Sequence, residues 1–196
     1  MARPDRGDTR AARSGHMQDR SVAVAPKFKG TLDQKIDAKG RVSVPAALRK
    51  VAEQCDPDFV PPTREAKGAP ASILIVFEPG KMNCLECYSV EGMAAIDAMI
   101  DAHDIGAPER EALEYRYHAN VTLTEIDGDG RIVIPLAHRS KLGLEGDIRF
   151  VGFGDRFEIW TQAAFDASRT SPTQALVSRY GENLNLRSLL QAKRVE

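Results

Sequence analysis

At 196 residues, 42% hydrophobic and 28% charged, the chain is long enough to bury one proper core or two small ones. A formal net charge of -1 excludes a protein that coats nucleic acid indiscriminately, because phosphate affinity needs an excess of Lys and Arg, so any basic footprint must be local. Three cysteines, Cys55, Cys84 and Cys87, with no apolar leader near Met1 and no apolar run of about 18 residues, argue against a disulfide framework and a membrane role and for a reducing cytoplasm.

In chain order, residues 1–26 are Arg-rich and almost free of large aliphatic side chains before Val22, which reads as a disordered arm. Residues 27–92 read as one unit with strands at Gly30 to Ile36, Arg41 to Val44, Ile73 to Phe77 and Leu85 to Tyr88, each an apolar stretch between Gly and Pro punctuation. Within it, residues 56–72 hold four prolines and no periodicity, so they read as an inserted surface loop. Residues 93–119 read as a helical linker: Met93, Ile96, Met99 and Ile100 recur at helical spacing, and a second helix opens at Pro108 and runs through Leu113 and Tyr117. Both stripes are read as core. Residues 120–166 repeat the four-strand pattern at Val121 to Ile126, Arg131 to Ile134, Ile148 to Phe153 and Phe157 to Trp160, and eight short strands suit a small barrel. Residues 167–196 read as an appendage, helical around Leu186 to Ala192.

The two units are copies. A shift of 90 residues lays Ile36-Asp-Ala-Lys-Gly-Arg-Val-Ser-Val-Pro45 on Ile126-Asp-Gly-Asp-Gly-Arg-Ile-Val-Ile-Pro135, with Ala47 on Ala137 and Arg49 on Arg139. Leu85-Glu-Cys-Tyr88 likewise resembles Phe157-Glu-Ile-Trp160, an apolar strand running into a short helix. In the shared Asp-x-x-Gly-Arg, Asp37 and Asp127 are placed to accept amide hydrogens across a turn, and Gly40 and Gly130 to take a positive φ. Arg41 and Arg131 then open the next strands within reach of their own aspartates, and Pro45 and Pro135 start short helices.

The copies differ in charge. From Lys27 to Lys50 seven basic residues (Lys27, Lys29, Lys35, Lys39, Arg41, Arg49, Lys50) face two acids (Asp33, Asp37), a balance of 7 minus 2, or +5. In the second copy Arg131, Arg139 and Lys141 are cancelled by Glu125, Asp127 and Asp129. The first copy is therefore the more basic surface, and Arg131 is read first as half of a structural ion pair.

Other chemistries fit poorly. Asp37 and Asp127 as the paired carboxylates of an aspartic peptidase would need a hydroxyl residue and Gly after each Asp, where Ala38-Lys39 and Gly128-Asp129 stand. Cys84-Leu-Glu-Cys87 is half a zinc site without a second pair. Asp127-Gly-Asp-Gly130 opens like a calcium loop, but His138 occupies the closing position. No metal or cofactor is expected.

Phe28-Lys-Gly30, the two Asp-x-x-Gly-Arg segments and Gly152-Phe-Gly-Asp-Arg-Phe-Glu-Ile-Trp160 together resemble the MraZ family over roughly residues 27–166. The resemblance implies a mainly β, α+β fold: a pseudo-twofold swapped-hairpin barrel like that of AbrB and MazE, here with both halves in one chain. It also implies a nucleoid-associated transcriptional regulator, usually a repressor, that binds tandem repeats in double-stranded promoter DNA upstream of its own cell-division and cell-wall genes. A ring-shaped homo-oligomer, an octamer or dodecamer, is implied with it, and the arginine of the motif is implicated in DNA contact: Arg41 and Arg131 here. With that implication the more basic first copy is the expected DNA-facing surface, Arg41 approaching bases and Lys29, Lys35, Lys39 and Arg49 neutralising phosphates. The alternative is an antitoxin-like module whose main target is a protein, because the helices between the copies could wrap a partner.

Overall fold

The computed structural model describes residues 25–168, 172–181 and 185–191, so the arm expected at the start lies outside the described residues as far as residue 24, and Ala192 of the expected tail helix lies outside them too. The elements run β1 (Thr31–Ile36), β2 (Arg41–Ser43), α1 (Ala46–Gln54), β3 (Ser72–Val76), β4 (Leu85–Tyr88), α2 (Val90–Asp101), α3 (Pro108–Glu114), a π-helical turn (Tyr115–Ala119), β5 (Val121–Glu125), β6 (Arg131–Val133), α4 (Leu136–Leu142), β7 (Gly146–Gly152), β8 (Arg156–Thr161), α5 (Gln162–Ser168), α6 (Pro172–Tyr180) and a 3₁₀ turn (Leu186–Gln191). All eight expected strands form, Leu85–Tyr88 with the expected ends and the others with ends shifted by at most two residues.

The strands lie in the order β5-β3-β4-β8-β7-β1-β2-β6, every pairing antiparallel. Same-copy pairs alternate along the row, so that β5 on β3, β4 on β8, β7 on β1 and β2 on β6 each join one strand from either copy. The ends of the row meet at the Asp127–Gly130 turn, where Asp127 N donates to Arg131 O at 2.8 Å and Thr124 Oγ1 to Val133 O at 3.4 Å. The sheet thus curls into a nearly closed barrel with pseudo-twofold symmetry, the mainly β architecture that the tandem repeat leads one to expect.

Alternation along the strands fills the barrel. Ile73 and Ile75 of β3, Ile148 and Phe150 of β7, Phe157 and Ile159 of β8 and Ile132 of β6 are all fully buried in one apolar cluster, joined by Val42, Phe28 and Ile134. Each such side chain contributes roughly 1.5–3 kcal/mol by leaving water. Phe157 sits between Phe28, edge-on at 5.1 Å, and Phe150, stacked at 5.7 Å.

The helices close the barrel ends and flanks. Pro45 and Pro135 hold extended backbone (φ -52° and -55°) immediately before α1 and α4. Leu48, Val51 and Ala52 give α1 an i, i+3, i+4 buried stripe. Ser89 caps α2, its hydroxyl accepting from Gly92 N at 3.1 Å. The linker stripe is narrower than its spacing suggests: Met93 and Ile100 are buried and Ile96 half-buried, whereas Met99 is 61% exposed, so that residue leaves the expected core. The expected second linker helix passes from α3 into the π-helical turn before Tyr117. The proline-rich loop is mostly exposed but anchored at its start, where the buried Asp56 carboxylate accepts from Ser72 N at 2.7 Å and Asp58 N at 3.0 Å.

Candidate nucleic-acid interface

Each Asp-x-x-Gly-Arg segment is a tight turn built the same way. Asp37 Oδ1 accepts from the amides of Lys39 and Arg41, both at 2.9 Å, while Gly40 N donates to Asp37 O at 2.9 Å. Oδ2 is left for Arg41 Nε at 2.7 Å. In the second copy Asp127 Oδ1 accepts from Asp129 N and Arg131 N at 2.9 Å, and Oδ2 takes Arg131 Nε at 3.3 Å. Gly40 (φ 84°) and Gly130 (φ 75°) carry the left-handed step that lets the chain double back, as expected for both.

These bonds favour the charged carboxylates. The backbone amide of Arg41, then its guanidinium, holds Asp37 below the usual carboxylate range. At Asp127 burial pushes upward, but the amides of Arg131 and Asp129 and the Arg131 guanidinium outweigh it and the carboxyl also sits low.

The β2–β6 pairing brings the two arginines onto one ribbon. Its register sets Arg41 opposite Val133, Val42 opposite Ile132 and Ser43 opposite Arg131. Val42 and Ile132 point into the core, so the other four residues face outward. Because the strands are antiparallel, the turns and with them Asp37 and Asp127 lie at opposite ends of the ribbon, each carboxylate bound to its own arginine. Backbone bonds from Val44 N to Gly130 O (2.9 Å) and from Ile134 N to Gly40 O (2.8 Å) clamp each turn to the other copy.

The guanidiniums of the helices lock the turns from behind. Arg139 of α4 lies over Gly40, donating through Nε to Ile134 O at 3.1 Å and through Nη1 to Ala38 O at 3.3 Å. Arg49 of α1 lies over Gly130 and pairs with Glu53 at 3.5 Å. Arg49 is thus half-buried against a turn as well as basic.

The remaining expected residues are spread. Lys39 is exposed at the tip of the first turn. Lys35 is exposed near the turn end of β1 and lies 3.8 Å from Asp147. Lys29 stands beyond the other end of β1, roughly 25 Å of strand from the turn at about 3.3 Å per residue. Asp33, between them, is occupied by Arg149 at 2.7 and 3.1 Å, which lowers its pKa.

A charged cluster on the outer face of β4 and β8 escaped sequence reading. Glu86 and Glu158 are cross-strand partners and buried, bound by Tyr88 Oη and Trp160 Nε1 respectively, each at 3.0 Å. Arg116 of the π-helical turn donates to Glu86 at 3.1 Å and Arg156 to Glu158 at 3.0 Å. The signal was present in the repeat of Glu86-Cys-Tyr88 as Glu158-Ile-Trp160, hidden by the apolar residues around it. Cys84 and Cys87 are buried beside this cluster, and burial pushes both thiols up. Among the described residues no group of three or more His, Cys, Asp or Glu is arranged to hold a metal, and no helix is long and apolar enough to cross a membrane.

Comparison with known proteins gives a consistent family. A family model described as "MraZ protein, putative antitoxin-like" matches residues 118–174. A protein named transcriptional regulator MraZ from Ruegeria pomeroyi is 33% identical over 162 residues, covering 83% of this chain and 93% of that protein. Proteins of the same name from Cereibacter sphaeroides (33% identical; 83% of this chain, 96% of that protein) and Gluconacetobacter diazotrophicus (28%; 72% and 83%) are also similar. Among solved structures, the solution structure of PHS018 from Pyrococcus horikoshii covers 67% of this chain and 87% of that one, with 16% identity and a TM-score of 0.27.

Proposed function

The chain belongs to the MraZ family of transcriptional regulators, and from that premise we propose that it binds double-stranded promoter DNA sequence-specifically, with Arg41 as the principal contact. The observation that carries this reading is the pinning of Arg41 through Nε alone: among the described residues its two terminal nitrogens have no hydrogen-bond partner, so a fixed guanidinium presents free donors outward. Lys39 beside it, and Lys35 further along, supply phosphate neutralisation. The relatives' name supports regulation of transcription; tandem promoter repeats upstream of the protein's own cell-division and cell-wall genes are the proposed operator, and repression the proposed outcome. A ring of eight or twelve copies would present successive turns to successive repeats, so that multivalency supplies affinity one copy lacks.

The test is binding of wild type and Arg41→Ala to a labelled fragment from upstream of the gene, against scrambled DNA, over a salt series. Wild type is expected to favour its own fragment and Arg41→Ala to lose at least about tenfold in affinity with its assembly unchanged. A second reading, a protein partner, is favoured by the outward Met99 and Ile105 of the linker, 61% and 94% exposed. Equal, weak binding to both fragments by wild type would select it.

A further inference from the structure

The outward face of the β2–β6 ribbon carries four side chains, and the arginines account for two. Ser43 is exposed, and among the described residues its hydroxyl has no hydrogen-bond partner. Val133 is 51% exposed, although Ile132 and Ile134 on either side of it are wholly buried. A two-stranded ribbon is one of the elements that the DNA major groove admits, and there a hydroxyl meets either the donors or the acceptors of base edges while an aliphatic side chain meets the 5-methyl group of thymine.

We propose, resting on the DNA-binding reading above, that Ser43 and Val133 are base-reading residues: the Ser43 hydroxyl hydrogen-bonds a base edge and the Val133 methyls contact a thymine methyl. Both sit on strands rather than loops, with the clamps from Val44 N to Gly130 O and from Ile134 N to Gly40 O at the ends of the ribbon, so they are held in place before DNA arrives. Both lie directly across the ladder from an arginine, Ser43 from Arg131 and Val133 from Arg41. The Arg41 guanidinium seated on guanine therefore brings Val133, directly across from it, to the adjacent base step, with Ser43 two residues along the same strand and on the same face.

The repeat sharpens the argument. Positions 43 and 133 are equivalents in the two copies, yet one bears a hydroxyl and the other two methyl groups. A pseudo-twofold frame with unlike readers at equivalent places prefers a non-palindromic step, and so distinguishes direct from inverted repeats of a site.

The experiment measures wild type, Ser43→Ala and Val133→Ala against a panel of the upstream fragment carrying every single base-pair change across one repeat, with the full-length protein and its assembly followed by sedimentation. Each variant is expected to flatten discrimination at one base pair by about fivefold to tenfold, and to keep the wild-type salt slope because neither residue is charged. Replacing the thymine at the Val133 position by deoxyuridine should weaken wild type and leave Val133→Ala unchanged. Base preferences identical to wild type in both variants would overturn the proposal while leaving the regulator reading intact. A Val133→Ala protein of altered assembly but wild-type preferences would make Val133 a contact between copies and overturn its half. Wild type that fails to separate its own fragment from scrambled DNA would remove the reading on which the proposal rests.

Discussion

The two turns share one backbone and differ at two positions, Ala38 against Gly128 and Lys39 against Asp129, of which the second carries charge. In the first, position three of the motif is Lys39, exposed; in the second it is Asp129, whose carboxylate takes the second arm of Arg131. Arg131 is consequently held by two carboxylates, Asp127 and Asp129, and Arg41 by Asp37 alone. The comparison separates what the turn needs, an Asp, a Gly and an Arg, from what decides whether its arginine is available to a ligand. Duplication preserved the first and divided the second between the copies.

The largest expected effect breaks the backbone likeness. A Cβ at Gly40 would lie 2.6 Å from the backbone oxygen of Ile134 as well as against Arg139, whereas at Gly130 it would meet only the movable end of Arg49. Both positions have a positive φ, so Gly40→Ala should destabilise by about 3 kcal/mol and Gly130→Ala by about 1 kcal/mol in urea unfolding. Equal losses would mean that the strained φ, not the clamp between copies, sets the cost.

An exchange of the distinguishing side chain comes next. Lys39→Asp converts the first turn into the likeness of the second and should lower affinity for the upstream fragment about tenfold, with a shallower salt slope; Asp129→Lys should release Arg131 and raise affinity by a smaller factor. Unchanged binding by both would show that position three has no bearing on DNA.

The smallest effect is on pH dependence. Asp37 and Asp127 both have folded-state pKa values below the ordinary 3.8, so each contributes stability that is complete above the unfolded value and is lost as pH falls through that value toward the folded one. Asp37→Asn and Asp127→Asn should each reduce the loss of urea midpoint between pH 5 and pH 2.5. Asp37 is highly solvated, so its share is small and should fall further in high salt.

The strands and turns were legible because their causes are local: β-rich runs between Gly and Pro, and an aspartate whose amide partners lie two and four residues away. The family was legible for the same reason, since its pattern consists of those turns. What could not be read was what the barrel brings together. Arg49 had the composition of a phosphate contact but lies over Gly130 of the other copy, and Lys35 acquires Asp147 from β7. Glu86 and Glu158 sat inside segments apolar enough to pass for core, and Glu86 draws its arginines from elsewhere, Arg116 from the π-helical turn and Arg156 from the neighbouring strand. Met99 kept helical spacing without a neighbour to cover it.

The alternation of the two copies around the barrel governs the order in which this protein comes into being. Every strand has a neighbour from each copy, and β1 waits for β7, so Thr31 meets Val151 only once the chain 120 positions further on has been made. During synthesis the first copy leaves the ribosome with each of its four strands unpaired along one edge, and no complete native core is available to it until β8 emerges. Folding is therefore expected to be a late, slow and single event, as for other chains dominated by distant contacts. A nascent chain stopped anywhere before Arg156 is an incomplete sheet with adhesive edges rather than a half-built regulator.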